Sequence, residues 1–214
     1  MSHLSLVKNL ARVQEEQKHS QTYFELGNLR LLRGSVTEFT GETTSGKTSL
    51  AFMLLSSLTQ NGEICSVVDL GNSFNPVSAS ASGMVLENLL WIRCGGNIEN
   101  AFKAIDNLIQ ANNFGSIWLD LSDRPAADLN HIPTSYWYRF RTRILGSQTL
   151  LIVTAKQSLT GSASSQSYEY EKEGITWSGA GKFKLIAGLQ VSLNTRKPFL
   201  IKPEYIKIEA RYLV

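Results

Sequence analysis

The sequence predicts an α/β fold: a mostly parallel sheet flanked by helices, with an antiparallel C-terminal extension. Short, continuous apolar runs alternate with segments of helical periodicity, the pattern of a sheet covered on both faces. The pattern G-x-x-x-x-G-K-[ST] stands at 41–48, between a strand-like run and a helical one. Beyond Thr154 the character changes to alternating polar and apolar residues, which suits strands with one wet face.

Residues 4–18 place Leu4, Val7, Leu10 and Ala11 at helical spacing, so an amphipathic N-terminal helix and linker are expected over 1–24. That helix packs on its own core or docks on another subunit or partner. A nucleotide-binding domain is expected over 25–214. Gly34–Thr40 is a β-like run that leads into Gly41. Lys47–Leu58 is apolar on most faces and predicts a buried helix, ended by Asn61–Gly62. Ile64–Leu70, closing on Asp69, reads as a strand buried on both faces. Asn75–Pro76 breaks the chain before a short helix over Val77–Ser82. Leu89–Arg93 reads as another buried strand. Asn97 caps a helix whose Ile98, Ala101, Phe102, Ile105, Leu108 and Ile109 form an apolar stripe. Ser116–Leu121, Ser135–Leu145 and Thr149–Thr154 follow as strand, helix and strand. Gln157–Gly181 is polar, rich in Ser and Gly, and long for a connection in a compact domain, so a mobile loop is expected over 157–181. Phe183–Leu193 and Tyr205–Tyr212 then alternate as strands.

A chain of 214 residues, 43% hydrophobic and 18% charged, is long enough for one sizeable core. It contains no run of 18 apolar residues, which argues against a membrane span. The first residues lack the apolar core of a secretory signal, and the two cysteines, Cys65 and Cys94, sit in apolar runs suited to reduced thiols; the expectation is a cytoplasmic protein. Net charge is +3, unevenly spread: residues 1–123 carry 8 Lys/Arg against 12 Asp/Glu, and residues 124–214 carry 13 against 6. A basic C-terminal half suits a polyanionic partner, and equally a scattered solvated surface.

The segment Gly41-Glu42-Thr43-Thr44-Ser45-Gly46-Lys47-Thr48 meets the physical demands of a phosphate cradle. Successive backbone N–H groups must turn inward on the phosphates, and the helix that begins here, through Ser49, adds its positive dipole end. Lys47 faces the β/γ-phosphates and the Thr48 hydroxyl is a magnesium ligand, so ATP and Mg2+ are the expected ligands. The second carboxylate of the metal site falls on Asp120, at the end of an apolar strand, with Asp123 as its competitor. Asp69 either orients the metal's water shell or caps a loop.

With these elements in order, the chain resembles the ATPase core of the RecA family over roughly residues 25–200. FTGETTSGKTSLAFMLL resembles that family's loop and helix, SVVDLGNSFNP its second strand end, and SIWLDLSD its metal-binding strand. TLLIVTAKQSL, a long polar loop and GKFKLIAGLQVSL resemble its second DNA loop and the strand after it. FNP, LLWIRCG, GSIWLDLSD and IPTSYWYRFR together resemble a shorter branch, the ImuA-like (SulA-like) accessory proteins of translesion synthesis. The resemblance implies a role in DNA repair or damage-induced mutagenesis, with a polymerase-type protein partner. In RecA a glutamate shortly after the second strand activates the attacking water; the aligned position here is Gly71. Lys47 and Asp69 are left as catalytic candidates, and at most a weak ATPase is implied. Lys156 and Gln157 compete for the polar sensor position by one register.

Tyr136 to Arg143 interleaves aromatics with arginines, the mixture that single-stranded DNA favours. On a helix Tyr136, Phe140 and Ile144 share a packing face, while Arg139 and Arg143 share another and are candidates for phosphate contact. In the expected loop Tyr168, Tyr170 and Trp177 are candidates for base stacking, opposed by Glu169, Glu171 and Glu173. Lys182 and Lys184 restore positive charge at its exit. Single-stranded DNA, a polymerase subunit and further copies of the chain are the candidate partners.

Overall fold

The computed structural model describes residues 21–179, 184–198 and 203–213. The amphipathic helix expected over 4–18, and Lys182, lie outside the described residues. In chain order the strands are β1 Tyr23–Leu26, β2 Leu29–Leu32, β3 Ser35–Thr40, β4 Cys65–Asp69, β5 Leu89–Arg93, β6 Ser116–Asp120, β7 Leu150–Ala155, β8 Gln166–Ser178, β9 Leu185–Lys197 and β10 Glu204–Glu209. The helices are α1 Lys47–Gln60, α2 Pro76–Ala81, α3 Ile98–Ala111, α4 Ala126–Leu129 and α5 Thr134–Ile144.

Strands β3 to β10 form one sheet in the order β10-β9-β8-β3-β7-β6-β4-β5. From β8 to β5 all neighbours are parallel, and β8-β9-β10 are antiparallel. The expected architecture is therefore present. Its central strands are buried on both faces: β3, β4 and β7 have no exposed position, because helices cover each side. One face packs on α1, whose Leu50, Leu54, Leu55 and Leu58 are almost fully buried beside Phe39, Val67 and Ile152. The other packs on α3 and α5 through Phe102, Ile105, Phe140 and Ile144. Truncating a fully buried leucine such as Leu54 to alanine costs about 2–5 kcal/mol in such a core.

Helix caps follow their chemistry. The Asn97 side chain accepts the Asn100 N–H at 3.0 Å at the start of α3, and Asn75 accepts from Val77 and Ser78 at the start of α2.

Three expectations change. Leu89–Arg93 is a strand, but at the sheet's edge and half exposed rather than buried, because among the described residues no strand pairs with it beyond β4. The mobile loop expected over 157–181 is mostly strand: β8 takes 166–178, running parallel to β3 and antiparallel to β9. The strand next to β3 on that side is β8, and the connection from β7 shrinks to residues 156–165. Finally, β1 and β2 form a separate hairpin turned at Gly27, an element the sequence reading omitted.

Candidate nucleotide site

All the sheet's parallel strands end at one rim, and the site stands there. Chain leaving β3 at Thr40 turns through 41–46 into α1. Two glycines are required by contact. A Cβ on Gly41 would sit 2.4 Å from the Tyr170 carbonyl oxygen of β8. Gly46, the residue before α1, has φ +98°, and a Cβ there would press on Leu189 at 3.2 Å. The helical ladder starts with the Leu50 N–H donating to the Gly46 carbonyl at 3.0 Å. The N–H groups of Lys47, Thr48 and Ser49 are left to the first turn, without carbonyl partners in the helix. Glu42, Thr43, Thr44 and Ser45 form the body of the loop, Thr44 at positive φ.

Lys47 is buried (4% exposed), and its ammonium donates to the carbonyls of Gly41 and Glu42 at 2.6 Å each and to Ser45 Oγ at 3.3 Å. Burial lowers its pKa, opposed first by the charge of Asp120 and then by that of Glu42. A buried ammonium held by neutral acceptors beside the N–H groups that open α1 suits a polyanion.

Asp120 ends β6 and lies in register with Asp69 of β4 and Thr154 of β7. Its carboxylate accepts the Thr154 hydroxyl at 2.8 Å and the Ser122 N–H at 2.9 Å. Thr154 accepts in turn from the Trp118 indole at 3.0 Å, which fixes its direction. Burial pushes the Asp120 pKa up. A cavity of about 170 Å3 brings Thr48, Asp120, Asp69 and Asp123 together, walled by Phe74 and Trp118. The Thr48 hydroxyl and the partly buried Asp120 carboxylate, which forms no ion pair among the described residues, are oxygen donors of the kind that suits a hard divalent ion.

Asp69 has the other of its two expected roles. Its carboxylate accepts the N–H groups of Ser73 (3.1 Å) and Phe74 (3.2 Å) and the Trp91 indole N–H (3.0 Å). It caps the loop after β4 through two of these bonds and is tied to β5 through the third. This bonding fits the loop-capping role, while Asp69 also lines the cavity with Thr48 and Asp120. Gly71 follows in open space: a Cβ there would meet only Ser73 Oγ, at 3.8 Å.

A second cleft, of about 450 Å3, lies between Gly41–Ser45 and residues 169–172 of β8, with Lys156 on its wall. The β3–β7 register sets Thr40 beside Ala155, so Lys156 emerges next to Gly41. Gln157 points away, its amide 3.5 Å from Asn130 Oδ1. Of the two competitors for the polar position, Lys156 is the one that lines this cleft.

The remaining expected residues lie elsewhere. Arg139 and Arg143 do share a face of α5, but both bond Asp106 of α3, at 2.5 and 2.8 Å, and Arg139 also lies over the Tyr136 ring at 4.6 Å. Tyr168 and Tyr170 point into the core and are not available for stacking, whereas Trp177 is 53% exposed. Lys184 is exposed just before β9.

Sequence reasoning missed Glu38. It is fully buried in β3, and its carboxylate accepts the N–H groups of Leu159 (2.7 Å) and Thr160 (2.9 Å) and the Ser158 hydroxyl (2.7 Å). It clamps the 156–165 connection beside Lys156. A lone glutamate in the middle of SVTEFT was the available signal, since a carboxylate is tolerated in a central strand only when donors surround it.

No helix among the described residues is long and apolar enough to cross a membrane. The RecA N-terminal domain profile matches residues 20–164. The chain is 30% identical to Protein RecA of Chlorobaculum tepidum over 146 residues, covering 67% of this chain and 40% of that protein. It is 28% identical to Protein RecA of Prochlorococcus marinus strain AS9601 over 131 residues, covering 60% of this chain and 34% of that protein. The match thus spans well under half the length of these relatives. In fold it is similar to the crystal structure of a RadB recombinase, with a TM-score of 0.56 and 15% identity over 84% of this chain and 89% of that one. From the profile match, and with the loop and strand order above, the chain belongs to the RecA N-terminal domain family.

Proposed function

We propose that the protein binds ATP with Mg2+ at the 41–49 loop and hydrolyses it slowly, as an accessory factor of DNA repair or damage-induced mutagenesis of the ImuA-like kind. The observation that carries the nucleotide reading is the buried Lys47 ammonium, held only by neutral acceptors at the mouth of α1, with Thr48 and Asp120 on a common cavity. Bound ATP supplies the terminal phosphate that the family's chemistry transfers to water, with Mg2+ offsetting its charge. Lys47 pairs with that charge, the N–H groups of 43–49 orient the phosphates, and Asp120, aimed by Thr154, holds the metal's water shell. Gly71 supports slow turnover, because no carboxylate stands at the position where RecA carries its glutamate.

Single-stranded DNA is the proposed polyanion, met by the half-exposed Arg139 and Arg143 and by Lys182 and Lys184. A second reading is a nucleotide-gated adaptor with negligible turnover that recruits a polymerase subunit in the cytoplasm without touching DNA, alone or as a homo-oligomer. Two observations favour it: the connection expected to be a long DNA loop is short and clamped by Glu38, and both arginines are engaged by Asp106. Phosphate release with and without single-stranded DNA, together with DNA anisotropy at two salt concentrations, separates the two. Binding that weakens with salt and stimulates turnover supports the repair ATPase; no binding at low salt supports the adaptor.

A further inference from the structure

Gly71 removes one carboxylate from the rim but leaves three others on the 170 Å3 cavity: Asp69, Asp120 and Asp123. Their bonding separates them. Asp69 already accepts three hydrogen bonds, from Ser73, Phe74 and Trp91. Asp120 is aimed by Thr154 and Ser122 and belongs to the metal. Asp123 is exposed and makes no hydrogen bond or ion pair among the described residues.

Its position is nonetheless held. Asp123 sits in the turn that leaves β6, closed by the Arg124 N–H on the Leu121 carbonyl at 3.2 Å. The Arg124 guanidinium reaches back and donates to the Leu70 carbonyl at 3.0 Å. Leu70 is the residue before Gly71, so this bond ties the Asp123 turn to the backbone where a glutamate is absent. The negative charge of Asp123 is also felt at the Lys47 ammonium, with that of Asp120.

We propose that Asp123 is the carboxylate that orients and deprotonates the attacking water, in place of a residue at 71. The proposal rests on the reading of 41–49 as an ATP site. Water oxygen forms a bond to the terminal phosphorus while the bond from that phosphorus to the β,γ-bridging oxygen breaks. The bridging electron pair leaves with the diphosphate, and the water proton passes to Asp123 and then to solvent. An aspartate on an exposed turn, held through its backbone and not by bonds to its own carboxylate, is a poorly ordered base, in keeping with slow hydrolysis.

The test uses the full chain with Mg2+ and two readouts. The first is phosphate release at saturating ATP; the second is the affinity of a fluorescent ADP with and without aluminium fluoride, which mimics the phosphoryl group in flight. Asp123→Asn is expected to lower turnover about 100-fold, the low end for a positioned base. It should leave ADP affinity within about twofold and abolish the tightening caused by fluoride. Adding Gly71→Glu to Asp123→Asn should restore both turnover and tightening, since the space beyond Gly71 is open. Unchanged turnover in Asp123→Asn, tightening that survives it, or failure of Gly71→Glu to rescue each overturns the proposal. A wild type that binds ATP without any turnover overturns the role of Asp123 while sparing the ATP site. A wild type that binds no nucleotide overturns both.

Discussion

The indole N–H of Trp91 in β5 lies 3.0 Å from a carboxylate oxygen of Asp69 in β4, so an edge strand finishes the bonding of the residue that caps the loop beside it. Asp69→Ala leaves three donors without their acceptor, two of them backbone N–H groups. We expect a loss of about 2–3 kcal/mol in urea denaturation. Trp91→Phe removes one donor and keeps the ring against Phe74, so its loss should stay near 1 kcal/mol. A neutral Asp69→Ala would return Asp69 to the catalytic candidates.

Glu38→Ala should cost about 3 kcal/mol, because it strands two N–H groups and a hydroxyl inside the protein. The loss should be local as well as global. Amide exchange at Leu159 and Thr160 is expected to rise well before that of β7. Glu38→Gln keeps an acceptor and should lose clearly less. Equal losses for the two variants would place the effect in side-chain volume and not in the clamp.

Both cysteines are free and buried, and burial pushes the Cys65 thiol up to about 12 and that of Cys94 up as well. The folded-state value of Cys65 lies above that of an unfolded cysteine, 9.0. The associated stability is therefore complete below pH 9 and is lost as pH rises from 9 toward 12. Ellman's reagent at pH 8 should leave Cys65 unmodified until the protein unfolds. The denaturation midpoint should fall above pH 9, and Cys65→Ala should remove part of that fall.

Arg139 and Arg143 have two tasks to be separated. If their half-exposed guanidiniums meet DNA phosphates, replacing both by alanine weakens single-stranded DNA binding for every sequence. It should also flatten the salt dependence by up to about 0.7 log units per lost contact. The same change strips Asp106, itself 15% exposed, of both cationic partners and should cost about 1–2 kcal/mol. Lost stability with an unchanged salt slope would assign both residues to Asp106 alone.

The parallel core was legible because strands such as Val67–Val68 and Leu150–Val153 are covered on both faces and carry little but apolar residues. The 41–48 loop was legible because phosphate binding demands its residue types at fixed spacing. Strand β8 was obscured by its own geometry. Its first residues, 166–169, pair with β3 and Tyr168 and Tyr170 turn inward, while Glu171 to Glu173 meet solvent and a bulge at Glu173 breaks the alternation. The role of Glu38 depends on donors about 120 residues away, which no local pattern records; of the donors to Asp69, Ser73 and Phe74 are local and Trp91 alone lies 22 residues off. The ion pairs of Asp106 with α5 were hidden for the same reason.

In the proposed site, residues 41–49 hold a nucleoside triphosphate through Lys47. Calorimetric titration of the wild type and of Lys47→Ala with ATP and Mg2+ tests it most directly. We predict saturable binding by the wild type and at least a tenfold loss in the variant. Thermal stability should be unchanged or slightly higher, because a buried ammonium that forms no ion pair among the described residues is removed. Equal affinity in the two proteins, or no heat of binding in the wild type at millimolar ATP, would contradict the account.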